Sequence, residues 1–134
     1  MYYDGVGFVA SAFDLLHPGH LNLLRTMNEM CDSVTVGLHV NPQLERSEKN
    51  KPIQSVYERW IQLEACKYVD KIIPYETEND LYNLLTTEQI DVRFLGSEYQ
   101  TKIFTGSVLD MQIHYVPRNH TFSSSNLRIR MGDI

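Results

Sequence analysis

The chain has 134 residues, 43% hydrophobic and 22% charged, with a formal net charge of -5. That is about one domain's worth of chain, enough to bury a core without a disulfide staple. The acidic balance excludes a general nucleic-acid or anionic-membrane surface, which needs Lys and Arg clustered on one face, so any phosphate site here must be local.

"VGFVAS", Val6 to Ser11, is a short apolar run rich in strand formers, and "SVTVGLH", Ser33 to His39, is another. Between them "HLNLLRTMNEM" sets Leu21, Leu24, Met27 and Met30 at helical spacing. The charged, proline-bounded stretch Asn41 to Pro52 reads as a mobile surface loop. Ser55 is an expected N-cap with Glu58 at the third helical position, opening a helix to about Lys67. "KIIPY" then reads as a strand, "ENDLYNLLTTEQ" as a helix, "VRFLG" and "QIHYV" as strands, and Ser124 to Met131 as a final helix. Alternating strands and helices predict an α/β fold, a five-stranded parallel sheet covered by helices on both faces. Ligands of such sheets sit beyond the carboxyl ends of the strands, at the switch in strand order.

The chain opens without a basic segment followed by an apolar core, and no window nears the roughly 20 apolar residues of a membrane span. A cytoplasmic protein with no membrane insertion is expected. Cys31 and Cys66 fall at predicted helix ends without metal-ligand spacing, which predicts free thiols.

In "FDLLHPGH", His17 and His20 stand where the first strand passes into the first helix, with Gly19 between them. Unpaired amides and the positive end of the dipole make a helix start an anion site, and glycine leaves room for close approach. Two imidazoles there can donate to phosphate oxygens, and if protonated would match charge on a leaving group. A His-x-x-His metal pair is the rival reading, but Cys31, His114 and His120 are remote in sequence as third ligands. Near the other end, Ser123, Ser124 and Ser125 open a helix and offer hydroxyls and free amides as a second anion site, although one of them is expected only to cap.

"FDLLHPGH" resembles the signature of the cytidylyltransferase branch of the HxGH nucleotidyltransferases, in particular the glycerol-3-phosphate and choline-phosphate cytidylyltransferases. "YERWIQLEACKYVDKIIPY", "FLGSEY" and "VPRNHTFSSSNLR" resemble later segments of the family, in the family's order. The resemblance implies a single Rossmann-like nucleotidyltransferase domain over residues 1–134. In the implied reaction a substrate phosphate attacks the α-phosphorus of a nucleoside triphosphate and releases pyrophosphate, with Mg²⁺ held through the nucleotide phosphates. The resemblance implies CTP as the nucleotide and a phosphorylated alcohol of the glycerol 3-phosphate type as acceptor, with phosphocholine, phosphoethanolamine or a sugar phosphate as other acceptors. It also implies a homodimer.

By the same resemblance His17 and His20 hold the phosphates and stabilise the transition state, and a loop lysine, Lys49 or Lys51, closes over the triphosphate. Ser11, Ala12, Phe13, Gly19, Gly96, Arg118, Ser123, Ser124 and Ser125 fall at nucleotide-binding positions. Arg59 and Lys67 fall at acceptor-phosphate positions, and Asp14 is either an acceptor-binding residue or a cap at the helix start. The chain departs from the family pattern at Ser11 and Ala12, where Gly-Thr is usual, at Ser97, where Asp is usual, and at Asn119 to Thr121. Those departures keep two alternatives open: an adenylyltransferase of the same fold, and a nucleotide-binding module without turnover.

Overall fold

In the computed structural model, which describes residues 2–117 and 122–132, the elements run β1 (Tyr3–Ser11), α1 (Pro18–Met30), β2 (Cys31–His39), α2 (Val56–Ala65), β3 (Lys71–Tyr75), α3 (Glu78–Thr87), β4 (Val92–Gly96), β5 (Gln112–Val116) and α4 (Ser124–Arg130). The five strands form one parallel sheet in the order β3-β2-β1-β4-β5. The order reverses between β1 and β4, so the carboxyl end of β1 lies at the switch point where this architecture holds its ligands.

Side chains alternate across the strands and feed two separate cores. On one face Val9, Val34, Val36, Leu38, Val92 and Phe94 meet Leu24 and Met27 of α1 and Leu63 of α2. On the other, Phe8 and Tyr75 meet Leu81, Leu84 and Leu85 of α3. Helices therefore cover both faces, as the sequence predicts. At roughly 25 cal/mol per Å² of apolar area removed from water, each fully buried Leu or Phe stabilises the fold by about 1.5 to 3 kcal/mol.

The expected strands over "KIIPY" and "QIHYV" occupy the predicted positions, while β1 and β2 begin earlier than expected. α1 buries Leu24 and Met27, but Leu21 is exposed: it lies one turn too near the helix start, over the ligand end of the sheet. α2 stops at Ala65 instead of about Lys67, with Cys66 as its C-cap, and Cys31 caps α1 in the same way. Both thiols are free, and burial, with Asp32 and Asp91 nearby, pushes Cys31 up to about 11. A short 3-10 turn at Ser97–Thr101 after β4 has no counterpart in the sequence pattern. No helix of the described residues is long and apolar enough to cross a membrane.

Candidate active site

The two histidines are the cap of α1. His17 is the N-cap residue, and its Nδ1 accepts hydrogen bonds from the backbone N–H groups of Gly19 at 3.0 Å and His20 at 3.4 Å. His20, at the third helical position, returns the bond, its Nδ1 accepting from the His17 N–H at 3.3 Å. This is a capping box with imidazoles where Ser and Glu are usual, because the three-residue spacing is the same. The rings stack at 3.7 Å between centroids, and Phe13 tilts against His20 at 5.1 Å. Because each Nδ1 accepts, each ring carries its proton on Nε2, at the corner turned away from the helix backbone. Two neutral Nε2–H donors are thereby set side by side at a helix start.

The chain entering α1 is unusual. Phe13 and Leu15 both have positive φ, 50° and 55°, which residues with side chains seldom adopt. Between them Asp14 is 5% exposed and ties three segments together. Its carboxylate accepts from the N–H groups of Ile53 (2.8 Å) and Gln54 (3.0 Å) and from Arg128 Nη2 (2.7 Å), while its carbonyl accepts from Ser124 Oγ (2.6 Å). Gln54 answers by accepting from the Leu15 N–H at 2.8 Å. Burial pushes the Asp14 carboxyl up, but the Gln54 and Ile53 amides and the Arg128 guanidinium outweigh it and hold the group below its ordinary value. Asp14 does not cap α1, whose N-cap is His17; it caps the segment ahead of α2 and pairs with α4.

Arg59 is placed differently from its expected position at an acceptor phosphate. It is 2% exposed, and its guanidinium donates to the carbonyls of Ala12 (3.0 Å), His39 (2.8 Å) and Val40 (2.6 Å), with Nε shared between those of Gln54 and Ser55. The carbonyls of Ala12, His39 and Val40 lie at or just past the ends of β1 and β2, where ladder pairing runs out, which explains why a fork of donors is drawn to them. Arg59 shares a helix face with buried Leu63, four residues on, and that spacing was the signal for its burial. Lys67 is also set apart. It lies beyond the end of α2, exposed, over the Tyr68 ring at 5.4 Å and ahead of the amino end of β3, at the opposite end of the sheet from the imidazoles.

The remaining expected residues gather at the switch point. Ser11 Oγ accepts from the Phe13 N–H at 3.3 Å, and the Ala12 carbonyl is held by Arg59. Ser123 caps α4 by accepting from the Asn126 N–H at 2.9 Å, Ser124 is anchored on Asp14, and Ser125 is exposed. A narrow cleft of about 60 Å³ separates His17 and Pro18 from Phe122, Ser123 and Asn126, so the two predicted sites face each other, although the Gly19, His20 and Asn126 amides expected to be unpaired there are taken by His17 and Ser123. Lys49 and Lys51 are both exposed, but Lys51 is tied to the site through its carbonyl, which accepts from Arg128 Nη2 at 2.9 Å. Gly96 ends β4, where a Cβ would meet the Glu98 carboxylate. Arg118 and Asn119 to Thr121 lie outside the described residues. Arg128 and Gln54, which clamp Asp14, are the partners that sequence reasoning did not place there.

Among the described residues no group of three or more His, Cys, Asp or Glu could hold a metal ion. The donor set at the switch point, two imidazoles capped through Nδ1 and hydroxyls, fits phosphate oxygens and not a protein-ligated metal. A larger hollow of about 600 Å³ lies along the outer edge of β3, lined by Ile73, Pro74, Tyr75 and α3, away from the imidazoles.

Residues 8–130, which contain all of this machinery, match the family described as Cytidylyltransferase-like. The chain belongs to that family. It is 33% identical over 103 residues to the bifunctional protein HldE of Caulobacter sp. (strain K31), covering 76% of this chain and 21% of that protein. It is 37% identical over 102 residues to the ethanolamine-phosphate cytidylyltransferase of Arabidopsis thaliana, covering 72% and 23%. The chain thus spans about a fifth of the length of these curated relatives. Among solved structures, the lipopolysaccharide core biosynthesis protein of Thermoplasma volcanium superposes with a TM-score of 0.67 at 21% identity, over 88% of this chain and 98% of that one. The pantothenate synthetase of Thermus thermophilus gives 0.65 at 18% identity, over 92% and 61%. These two likenesses establish the fold, and the match over residues 8–130 establishes the family.

Proposed function

We propose that the protein transfers a nucleotidyl group, with CTP as donor and a small phosphorylated alcohol as acceptor, releasing pyrophosphate. The observation that carries this reading is the reciprocal imidazole cap: it fixes two Nε2–H donors beside a helix start and across a cleft from Ser123. An oxygen of the acceptor's phosphate attacks the α-phosphorus in line, a new P–O bond forms, and the bond to the bridging oxygen breaks as its electron pair leaves with pyrophosphate. No protein nucleophile is needed, since positioning and charge stabilisation dominate such transfers. The imidazoles act as neutral hydrogen-bond donors because their Nδ1 atoms are already acceptors. Mg²⁺ would come in on the nucleotide, which suits an ion that keeps its waters and phosphate ligands.

Asp14, Gln54 and Arg128 hold the Lys51 segment and α4 against the switch point, so we assign the triphosphate contact to Lys51 over Lys49. Arg59 is read as a positioning residue for the ends of β1 and β2. A homodimer through the outer face of α2 is supported by exposed Ile53, Tyr57 and Ile61, and light scattering tests it. The main test incubates the protein with each of the four nucleoside triphosphates, Mg²⁺ and a panel of phosphorylated alcohols, and follows pyrophosphate. CTP-dependent release with at least one acceptor is expected, and binding without release for every pair would leave only the nucleotide-binding module.

A further inference from the structure

Between β1 and α1 the chain makes a turn that its own residues disfavour. Phe13 and Leu15 have φ values of 50° and 55°, in the left-handed region where a Cβ crowds the backbone. Such strain persists only where the surroundings over-determine it, and it gathers at functional sites. Phe13 is held by burial: it is 1% exposed in the core shared with α1 and α2, its N–H donates to Ser11 Oγ, and the Ala12 carbonyl ahead of it accepts from Arg59. Leu15 is only half-buried. Its N–H lies in neither a strand nor a helix, and the acceptor that meets it is a side chain, Gln54 Oε1, at 2.8 Å.

Gln54 is itself fixed. Its N–H donates to Asp14 Oδ1 at 3.0 Å and its carbonyl accepts from Arg59 Nε at 3.2 Å, and both of those side chains are buried. The Gln54 side chain therefore leaves an anchored backbone, with its oxygen aimed at the Leu15 peptide. It belongs to the segment that carries Lys51, just ahead of Ser55, the N-cap of α2. Leu15 in turn is the joint between two parts of the imidazole clamp. On its strand side stands Phe13, whose ring tilts against His20 at 5.1 Å, and on its helix side stands His17, which caps α1 and stacks on His20 at 3.7 Å. Rotation about the Leu15 backbone moves the Phe13 ring relative to the start of α1. It thereby disturbs the His20 ring and the bond from the His17 N–H to His20 Nδ1 that fixes where Nε2–H lies.

We propose that Gln54 is a positioning residue for His20. By accepting from the Leu15 N–H it holds the left-handed turn, and the turn keeps the imidazole seated against both Phe13 and His17. The inference rests on the nucleotidyl-transfer reading, in which His20 donates to a phosphate oxygen. Small displacements matter there, since a misplacement of about 1 Å can cost roughly a hundredfold in rate.

The test compares the native chain with Gln54→Met, which keeps most of the side chain's length and removes its acceptor, alone and beside Leu15→Gly. Each is assayed with the nucleoside triphosphate and phosphorylated alcohol that support turnover. Gln54→Met is expected to lower kcat about tenfold and to leave both KM values within about twofold, because it misplaces a donor used in the transition state without removing a substrate contact. A merely structural role would lower the melting temperature and leave kcat per folded molecule as it was. Glycine adopts positive φ freely, so beside Leu15→Gly the turn no longer depends on Gln54, and the same substitution should lower kcat less than about threefold. Unchanged kcat in Gln54→Met overturns the proposal, and so does an equal loss in both backgrounds, which would mean that Gln54 acts by a route other than Leu15. Nitrogen NMR of the imidazoles gives a readout that needs no turnover and no Leu15→Gly variant. In Gln54→Met the His20 signals should move toward those of a free mixture of tautomers while those of His114, on β5, stay in place. Unmoved His20 signals overturn the proposal. If no nucleotide and acceptor pair releases pyrophosphate, the transfer reading fails on its own, and the ring signals alone decide the role of Gln54.

Discussion

The two sides of the sheet end differ in how their polar groups are satisfied. On the α1 side, His17 and His20 cap one another's backbone, Asp14 has three donors, and Arg59 spends its fork on carbonyls. On the α3 side, His39, Glu78 and Arg93 each keep a buried atom without a partner among the described residues, whereas on the α1 side Arg128 Nε alone does. The first arrangement is a scaffold that stands before any ligand arrives, and it needs no reorganisation at the moment of reaction. The second carries unpaired groups, each a burden of about 1 to 3 kcal/mol. One sheet thus carries a preorganised clamp on one face and most of its unpaired buried atoms on the other.

The sharpest way to break this comparison is at His17, where cap and donor coincide. Asn is as good an N-cap as any residue but lacks the reach of Nε2–H. His17→Asn should therefore keep the melting temperature within a few degrees while lowering kcat by about 10²- to 10³-fold, the loss of roughly 3 to 4 kcal/mol of transition-state stabilisation. Stopped pyrophosphate assays and thermal melts on the same sample check both halves. Unchanged kcat would remove the imidazole from the chemistry and leave it a cap.

Arg59 sharpens the comparison in the opposite direction, because its contribution is to the scaffold. Arg59→Met leaves the carbonyls of Ala12, His39 and Val40 without their donor, and denaturant melts should show a loss of about 3 to 5 kcal/mol. Arg59→Lys should lose nearly as much, since an ammonium cannot reproduce the fork. A loss under about 1 kcal/mol for either would return Arg59 to the role of a ligand for phosphate.

Much of the scaffold was legible in the sequence, and the reasons differ from one residue to the next. β3 and β5 were readable because short apolar runs bounded by turns have one natural partner, a buried parallel sheet. The histidine cap was readable in principle from its three-residue spacing, the same as a Ser-x-x-Glu box. The burial of Arg59 was hidden by its charge, which hydropathy patterns count as surface, although Leu63 marked its face. The Asp14 clamp joins residues 39 and 114 positions apart. No local period carries information about contacts of that separation, so it emerges only once the strands are in order. Lys67 shows the converse error, since a motif position that matches a family can fold to the far end of the sheet.

The Asp14 clamp gives a smaller effect, read through pH. Its folded carboxyl titrates below the unfolded value of about 3.9, so its contribution is fully present above that pH and is lost as pH falls through the lower, folded value. Asp14→Asn should remove about 1.5 to 3 kcal/mol near neutrality, the worth of hydrogen bonds to a charged group, and flatten the acid limb of stability against pH below about 4. Arg128→Met should produce the same flattening only in part, because the Ile53 and Gln54 amides still hold the carboxylate. Full flattening by Arg128→Met would mean that the ion pair alone sets the shift.

Ser123 provides the smallest and most local effect. It caps α4, a helix of only seven residues, by accepting from the Asn126 N–H, and it lines the cleft opposite His17. Ser123→Ala should cost about 1 kcal/mol, the usual worth of a cap. If α4 belongs to a clamp on the nucleotide alone, the variant should raise the nucleotide KM and leave the acceptor KM where it was. Ser124→Ala offers a matched control, since Ser124 holds the same helix through the Asp14 carbonyl without capping it. A rise in acceptor KM with either serine would show that α4 also positions the acceptor, so that the clamp acts on both substrates and not on the nucleotide alone.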